Sequence, residues 1–135
     1  MAETILSLSG IEKHYGNIPA AVDVTLDVYL GELLVLLGPS GCGKSTLLNI
    51  IAGLETIDKG AVFIDDYDVS KVEPKDRNIA MVFQSYALYP SMTVKENIIF
   101  GLKQAKASKN KIEEQLNKVS GLLKVDELLG RKPSQ

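Results

Sequence analysis

The sequence predicts an α/β fold built around a strand, a glycine-rich loop and a helix in immediate succession. Three observations carry this reading. Val22, Val24, Leu26, Val28 and Leu30 alternate with Asp23, Thr25, Asp27 and Tyr29, a period of two that marks a half-buried strand, antiparallel to its neighbour. Leu33 to Leu37 is an unbroken apolar run that stops at Gly38, as expected of a strand buried on both faces. From Thr93 onward the apolar spacing lengthens to that of amphipathic helices.

The remaining elements follow in order. Ile5, Leu6 and Leu8 suggest a short first strand, and Gly16, Asn17 and Pro19 mark a turn after it. Gly31-Glu32 is a second turn. Leu47, Leu48, Ile50 and Ile51 fit a helix buried over much of its surface, which Gly53 can end. Strands are expected at Ala61 to Asp65, after the Lys59-Gly60 turn, and at Asn78 to Phe83. Asp65 and Asp66 read as a hairpin turn. Thr93 and Glu96 form a capping-box pair, each able to satisfy a free N–H of the first helical turn. Val94, Ile98 and Leu102 then share a face, as do Ile112, Leu116, Val119 and Leu123 in a second helix that Gly121 weakens. The charged run Lys103 to Glu114 is the solvated start of that second helix. Asp126-Glu127 opens a short last helix, where acidic residues suit the dipole, and Gly130 and Pro133 stop it.

Bulk properties exclude several functions. The 135 residues suit one modest domain or part of a larger one. A net charge of -2 argues against a nucleic-acid binder, which works by neutralising phosphates. Cys42 is the single cysteine, so no internal disulfide forms, which fits a reducing compartment. No apolar run approaches the roughly 20 residues of a membrane span. The opening stretch MAETILSLSG lacks the basic-then-apolar order of a signal peptide. A cytosolic chain is expected, touching a membrane only through a partner.

The chemistry-bearing segment is Gly38-Pro39-Ser40-Gly41-Cys42-Gly43-Lys44-Ser45, which fits the phosphate-binding P-loop pattern G-x-x-x-x-G-K-[ST]. Glycines let successive N–H groups turn inward and approach phosphate oxygens without Cβ clashes. A helix opening near Gly43 adds unpaired N–H groups and its positive dipole end. Lys44 would reach the outer phosphates, Ser45 would help hold Mg²⁺, and Thr46 can donate to the innermost phosphate. Cys42, beside a helix N-terminus, is a candidate for a lowered thiol pKa.

A P-loop names a superfamily only. HYGNIPAAVDVTLDVYLGELLVLLGPSGCGKSTLLNIIAGLETIDKG and RNIAMVFQSYALYPSMTVKENIIFGLK together resemble the ATP-binding cassette (ABC) ATPases, the motor subunits of transporters. Within them, VFQSYALYPSMTV and EPKDRNIAMVFQ resemble the ATPases of carbohydrate importers of the maltose/maltodextrin and glycerol-3-phosphate type. The resemblance implies an α/β P-loop NTPase of ABC type: an antiparallel β-subdomain and the start of a parallel core sheet over residues 1–90, and the beginning of a helical subdomain over 91–135. It also implies site roles. Tyr15 matches the aromatic that stacks on adenine. Gln84 matches the glutamine that ligates Mg²⁺ through its oxygen and orients a water through its NH₂. Lys44 and Gln84 are thus the candidate catalytic side chains, with Ser45 and Gln84 as metal ligands and ATP with Mg²⁺ as the cofactors. The Gln84–Met92 stretch matches the surface that receives a short cytoplasmic helix of the permease, and a second copy of the full-length ATPase is the expected dimer partner. The protein would lie on the cytoplasmic face of the cell membrane, without entering it and without binding nucleic acid.

Three parts of the resembled family are not found in these residues: the L-S-G-G-Q signature, the strand ending in Asp and Glu, and the switch histidine. His14, the only histidine, lies too early and reads as a solvated loop residue. The expectation is therefore the N-terminal half of an importer ATPase that binds ATP without efficient hydrolysis. Leu33–Leu37 and Asn78–Phe83 would then have uncovered faces and edges. Two alternatives remain open: a nucleotide-binding module without turnover, and a cassette ATPase of a non-transport process.

Overall fold

The computed structural model describes residues 1–39, 41 and 43–135. Ser40 and Cys42 lie outside the described residues, so the expectations placed on them are not addressed by the fold. The chain divides into two compact units, Met1–Met81 and Val82–Gln135.

The first unit is a sheet with one helix. Strand β1 (Thr4–Tyr15) pairs antiparallel with β2 (Ile18–Tyr29) and with β3 (Lys59–Ile64), and β3 pairs with the two-residue β4 (Tyr67–Asp68), giving the order β2-β1-β3-β4. β1 is much longer than the three apolar positions that suggested it. The reason is an irregularity between Leu8 and Ile11 in the register against β2. An extra residue on one strand flips the parity of the following side chains. Leu8 and Ile11, three apart, are thus both fully buried, and simple alternation ends at Leu8. The same effect appears in β2, where Asp23 has a φ of 47°. Val24, Leu26 and Val28 are half-buried as their alternation predicts, but Ala21 takes the core position and Val22 is exposed.

Helix α1 (Lys44–Ala52) packs its apolar face on this sheet and ends at Gly53, whose φ of 82° is left-handed. Leu47 and Ile50 join Leu8, Ile11, Ala21, Val62 and Val69 in the core. Asp65 and Asp66 both have positive φ (48° and 65°) in the turn between β3 and β4, the geometry of a tight hairpin, as their spacing suggested.

The two buried strands expected beside the glycine loop are not formed. Leu33–Leu37 and Asn78–Phe83 carry no strand pairing, and they are largely exposed: Leu33 is 88% and Val82 91% accessible. Their sequences suit a sheet covered on both sides, but a strand exists only by pairing. Neither run joins the β2-β1-β3-β4 ladder.

Arg77 was not singled out by its sequence context, yet it is 5% exposed. Its guanidinium donates to the carbonyls of Ile50 and Ile51, each at 3.0 Å, and to Val72 at 2.9 Å. The final carbonyls of a helix have no intrahelical donor, so Arg77 closes the C-terminus of α1 and ties it to the strand-end loop. Burial pushes its pKa below the ordinary arginine value. Arg77→Leu removes these bonds, although the Ile50 carbonyl keeps the Gly53 N–H, and should cost about 3 kcal/mol, lowering the thermal midpoint by roughly 10 °C. Calorimetry of the variant checks this; an unchanged midpoint would show the contacts to be worth nothing.

The second unit is helical. Thr93 accepts from the Glu96 N–H at 3.2 Å, and the Glu96 carboxylate accepts from the Thr93 N–H at 2.7 Å, so the predicted capping box opens helix α2 (Val94–Gln104). The Thr93 backbone donor, followed by its side chain, holds the Glu96 carboxyl below the ordinary carboxylate value. Ile99 is the buried residue of α2, with Val94, Ile98 and Leu102 half-buried around it. Helix α3 (Lys109–Leu123) buries Leu116 and Ser120, with Ile112 and Val119 half-buried. Leu123, expected on that face, is exposed because the chain turns left-handed at Lys124 (φ 57°) and the helix ends there. A 3₁₀ turn at Asp126–Leu128 follows, held by a Ser120 hydroxyl to Asp126 bond of 2.7 Å.

Candidate functional site

The glycine loop meets α1 at Gly43, the N-cap, with a φ of 93° and no side-chain cap. The first intrahelical bond runs from the Leu47 N–H to the Gly43 carbonyl at 2.9 Å. The N–H groups of Lys44, Ser45 and Thr46 therefore precede the helical ladder, and no acidic side chain lies in the first turn. Three donors and the positive helix end face the same way, which is the electrostatic requirement for an anion. Gly43 sits against the Ala20 backbone so closely that a Cβ would collide with the Ala20 carbonyl.

Lys44 is turned into the loop that precedes it. Its ammonium donates to the carbonyl of Gly38, and to that of Pro39 at 3.0 Å. A carbonyl pair is a weaker partner for an ammonium than a phosphate oxygen, so the side chain is held within the loop by contacts an anion can replace. Ser45 is exposed and Thr46 half-buried in the first turn. Beside the loop lies a groove of about 240 Å³ lined by Ala20, Val24, Val35, Leu37, Gly43 and Lys44. The described part of the predicted P-loop thus forms one cluster at the α1 N-terminus.

Tyr15 ends β1. Its ring is 47% exposed, and its hydroxyl donates to Glu55 Oε2 at 2.8 Å. Lys13 Nζ lies 5.3 Å from the ring centroid and 3.1 Å from Glu55 Oε1. The Tyr15 hydroxyl, then Lys13, hold the Glu55 carboxyl below the ordinary carboxylate value. Ala21, next to the Ala20 that touches Gly43, is the cross-strand partner of Lys13, so Tyr15 and the loop flank the same end of the β1–β2 hairpin. Lys13 and Glu55 were missed by sequence reasoning. The period of two along β1 could have linked Lys13 to Tyr15, but nothing local links either to Glu55. His14 is exposed, and its N–H donates to Asp58 at 2.7 Å.

Gln84 belongs to the second unit, where it is exposed in a turn closed by a Tyr86 N–H to Phe83 carbonyl bond of 3.0 Å. The loop after it displays Tyr86 (78% exposed), Leu88 and Tyr89, with Tyr86 and Ala87 both at positive φ. Asn97, also missed, holds this loop: its side-chain oxygen accepts from the Tyr89 N–H, and its NH₂ donates to the carbonyls of Tyr89, Met92 and Thr93. Tyr89 also packs on Phe100, ring centroids 4.9 Å apart. Among the described residues there is no cluster of three or more His, Cys, Asp or Glu side chains suited to a metal. No helix among them is long and apolar enough to cross a membrane.

The family profile described as ABC transporter matches residues 21–135. The chain is 52% identical over 132 residues to the sn-glycerol-3-phosphate import ATP-binding protein UgpC of Bartonella quintana, covering 97% of this chain and 38% of that protein. It is 48% identical over 130 residues to UgpC 1 of Rhizobium etli, covering 96% of this chain and 38% of that protein. The chain therefore spans somewhat over a third of the length of these curated relatives. Among solved structures, a nucleotide-free ATP-binding cassette from an ABC transporter superposes with a TM-score of 0.78 at 30% identity, over 98% of this chain and 58% of that one. A cassette in a dimeric, post-hydrolysis state bound to ADP and Pi gives a TM-score of 0.79 at 29% identity, over 97% and 62%. A loop of paired glycines ending in Lys44, set on an uncapped helix, and a profile match over most of the chain agree: this chain belongs to the ABC transporter family.

Proposed function

We propose that this chain is the nucleotide-binding portion of an importer ATPase that powers uptake of a solute, of carbohydrate or glycerol-phosphate type, through a membrane permease. The observation that carries the reading is the N-terminus of α1, where three backbone donors, a positive helix end and the Lys44 ammonium converge without a competing carboxylate. A nucleoside triphosphate matches that array. Its phosphates lie along residues 38–46, its adenine against Tyr15, and Lys44 exchanges its loop carbonyls for the outer phosphates. Mg²⁺ would be held by the Ser45 hydroxyl, a hard donor suited to it, and would neutralise charge on the phosphates; Gln84 keeps the metal role that the family resemblance implies for it. The solute class is supported by relatives at 48–52% identity whose names specify glycerol-3-phosphate import.

In this reading the first unit supplies the β-subdomain and P-loop, and the second supplies the start of the helical subdomain. The Gln84–Met92 surface meets the permease on the cytoplasmic face of the membrane, and a second copy of the whole ATPase completes the dimer. Phosphoryl transfer depends on positioning and charge neutralisation, and among the described residues no acidic side chain lies in the first turn of α1. These 135 residues are expected to bind Mg-ATP without hydrolysing it efficiently. Calorimetric titration with Mg-ATP alongside a phosphate-release assay tests both parts. Saturable binding without release is expected. Absence of saturable binding sinks the nucleotide reading, and steady release sinks the non-hydrolysing one.

A further inference from the structure

Lys13 is only 7% exposed, and a lysine is rarely so buried unless paired. Its ammonium has two partners, Glu55 Oε1 and Thr56 Oγ1, both at 3.1 Å. It also lies 5.3 Å from the centroid of the Tyr15 ring, within cation–π range. Glu55 divides its carboxylate. Oε1 takes Lys13 and the Thr56 N–H at 3.0 Å, and Oε2 takes the Tyr15 hydroxyl at 2.8 Å. The ring is thus held at its hydroxyl end by a carboxylate and approached by an ammonium. Glu55 is itself anchored, because the N–H groups of Leu54 and Glu55 both donate to the Asn49 carbonyl of α1. A chain of contacts therefore runs from Tyr15 through Glu55 to the helix whose N-terminus carries the anion site.

We propose that Lys13 and Glu55 are positioning residues for base recognition: they lock the half-exposed Tyr15 ring, with the ammonium beside it, at a fixed place relative to α1 where a purine can stack. The inference rests on the reading that Tyr15 stacks on adenine. A tyrosine that is half exposed and unrestrained would lose side-chain freedom on binding; here that freedom is already removed in the free protein. The clamp acts only on ligands that carry a base, so it separates ATP from a bare chain of phosphates.

The test compares the affinity of the full chain for Mg-ATP and for inorganic tripolyphosphate in three variants. Tyr15→Ala should weaken ATP binding about tenfold, the worth of one stacked base. Tyr15→Phe and Glu55→Ala, which keep the ring but release it, should each weaken it about threefold to fivefold. Tripolyphosphate affinity should stay constant throughout, which also certifies that the loop and α1 remain folded. If Tyr15→Ala weakens ATP binding while the two clamp variants do not, the clamp is overturned and stacking stands. If Tyr15→Ala has no effect, the stacking reading fails and the clamp fails with it. A parallel loss of tripolyphosphate affinity in the clamp variants would make the Tyr15–Glu55 contact a support of the fold only and overturn the clamp.

Discussion

Lys44→Ala should reduce affinity for Mg-ATP by about two orders of magnitude, equivalent to about 2.7 kcal/mol. The side chain sits in the first turn of α1 and donates to two loop carbonyls, Gly38 and Pro39. The substitution removes the single positive side chain of the glycine loop, while the three backbone donors of the helix end remain. A charge-assisted hydrogen bond is roughly twice as strong as a neutral one, so most of the binding should go while a residue of it persists. Fluorescence titration with an ATP analogue reads this directly, with Lys44→Arg as a second variant that keeps charge but changes shape. The loop also loses an internal contact, so a drop in thermal midpoint of a few degrees is expected without ligand. Unchanged affinity in Lys44→Ala would remove the phosphate-loop assignment altogether.

Gly43→Ala should be strongly destabilising to the first unit. Two independent costs combine there. The φ of 93° is a conformation that an L-residue adopts only under strain of about 1–2 kcal/mol. In addition the new Cβ would collide with the Ala20 carbonyl, which is backbone and cannot rotate away. A total near 3 kcal/mol is expected, with a fall in midpoint of roughly 10 °C. Gly41→Ala separates the two costs. Its φ of 81° is equally left-handed, but a Cβ there has nothing within 4 Å. Gly41→Ala should lose only the strain component. Equal losses in the two variants, measured by thermal unfolding, would show that the approach of the loop to β2 contributes nothing.

The exposed segments Leu33–Leu37 and Asn78–Phe83 have a consequence for handling the chain. Extended apolar backbone without a pairing partner is a template for association. Glu32 precedes the first run, and Glu73, Lys75, Asp76 and Arg77 precede the second, so the first is the less protected by charge.

Local chemistry was enough to determine several features from the sequence. The glycine loop, the helix after it, the Gly53 stop, the Asp65-Asp66 turn and the Thr93–Glu96 capping box each depend on residues within a few positions of one another. Backbone conformation and end-capping are short-range effects, so a one-dimensional pattern contains them. The family could be read for the same reason, since its most specific motif is contiguous.

Features that depend on distant residues were decided by the tertiary structure. The length of β1 was hidden because an irregular register flips side-chain parity between Leu8 and Ile11. Arg77 closes a helix 26 and 27 residues away, and Glu55 meets Tyr15 across 40; no periodicity connects such positions. The two apolar runs show the limit most plainly. Leu33–Leu37 and Asn78–Phe83 have the composition of central strands, but strand formation is a property of a pair, and the pairing partner is not in the run itself.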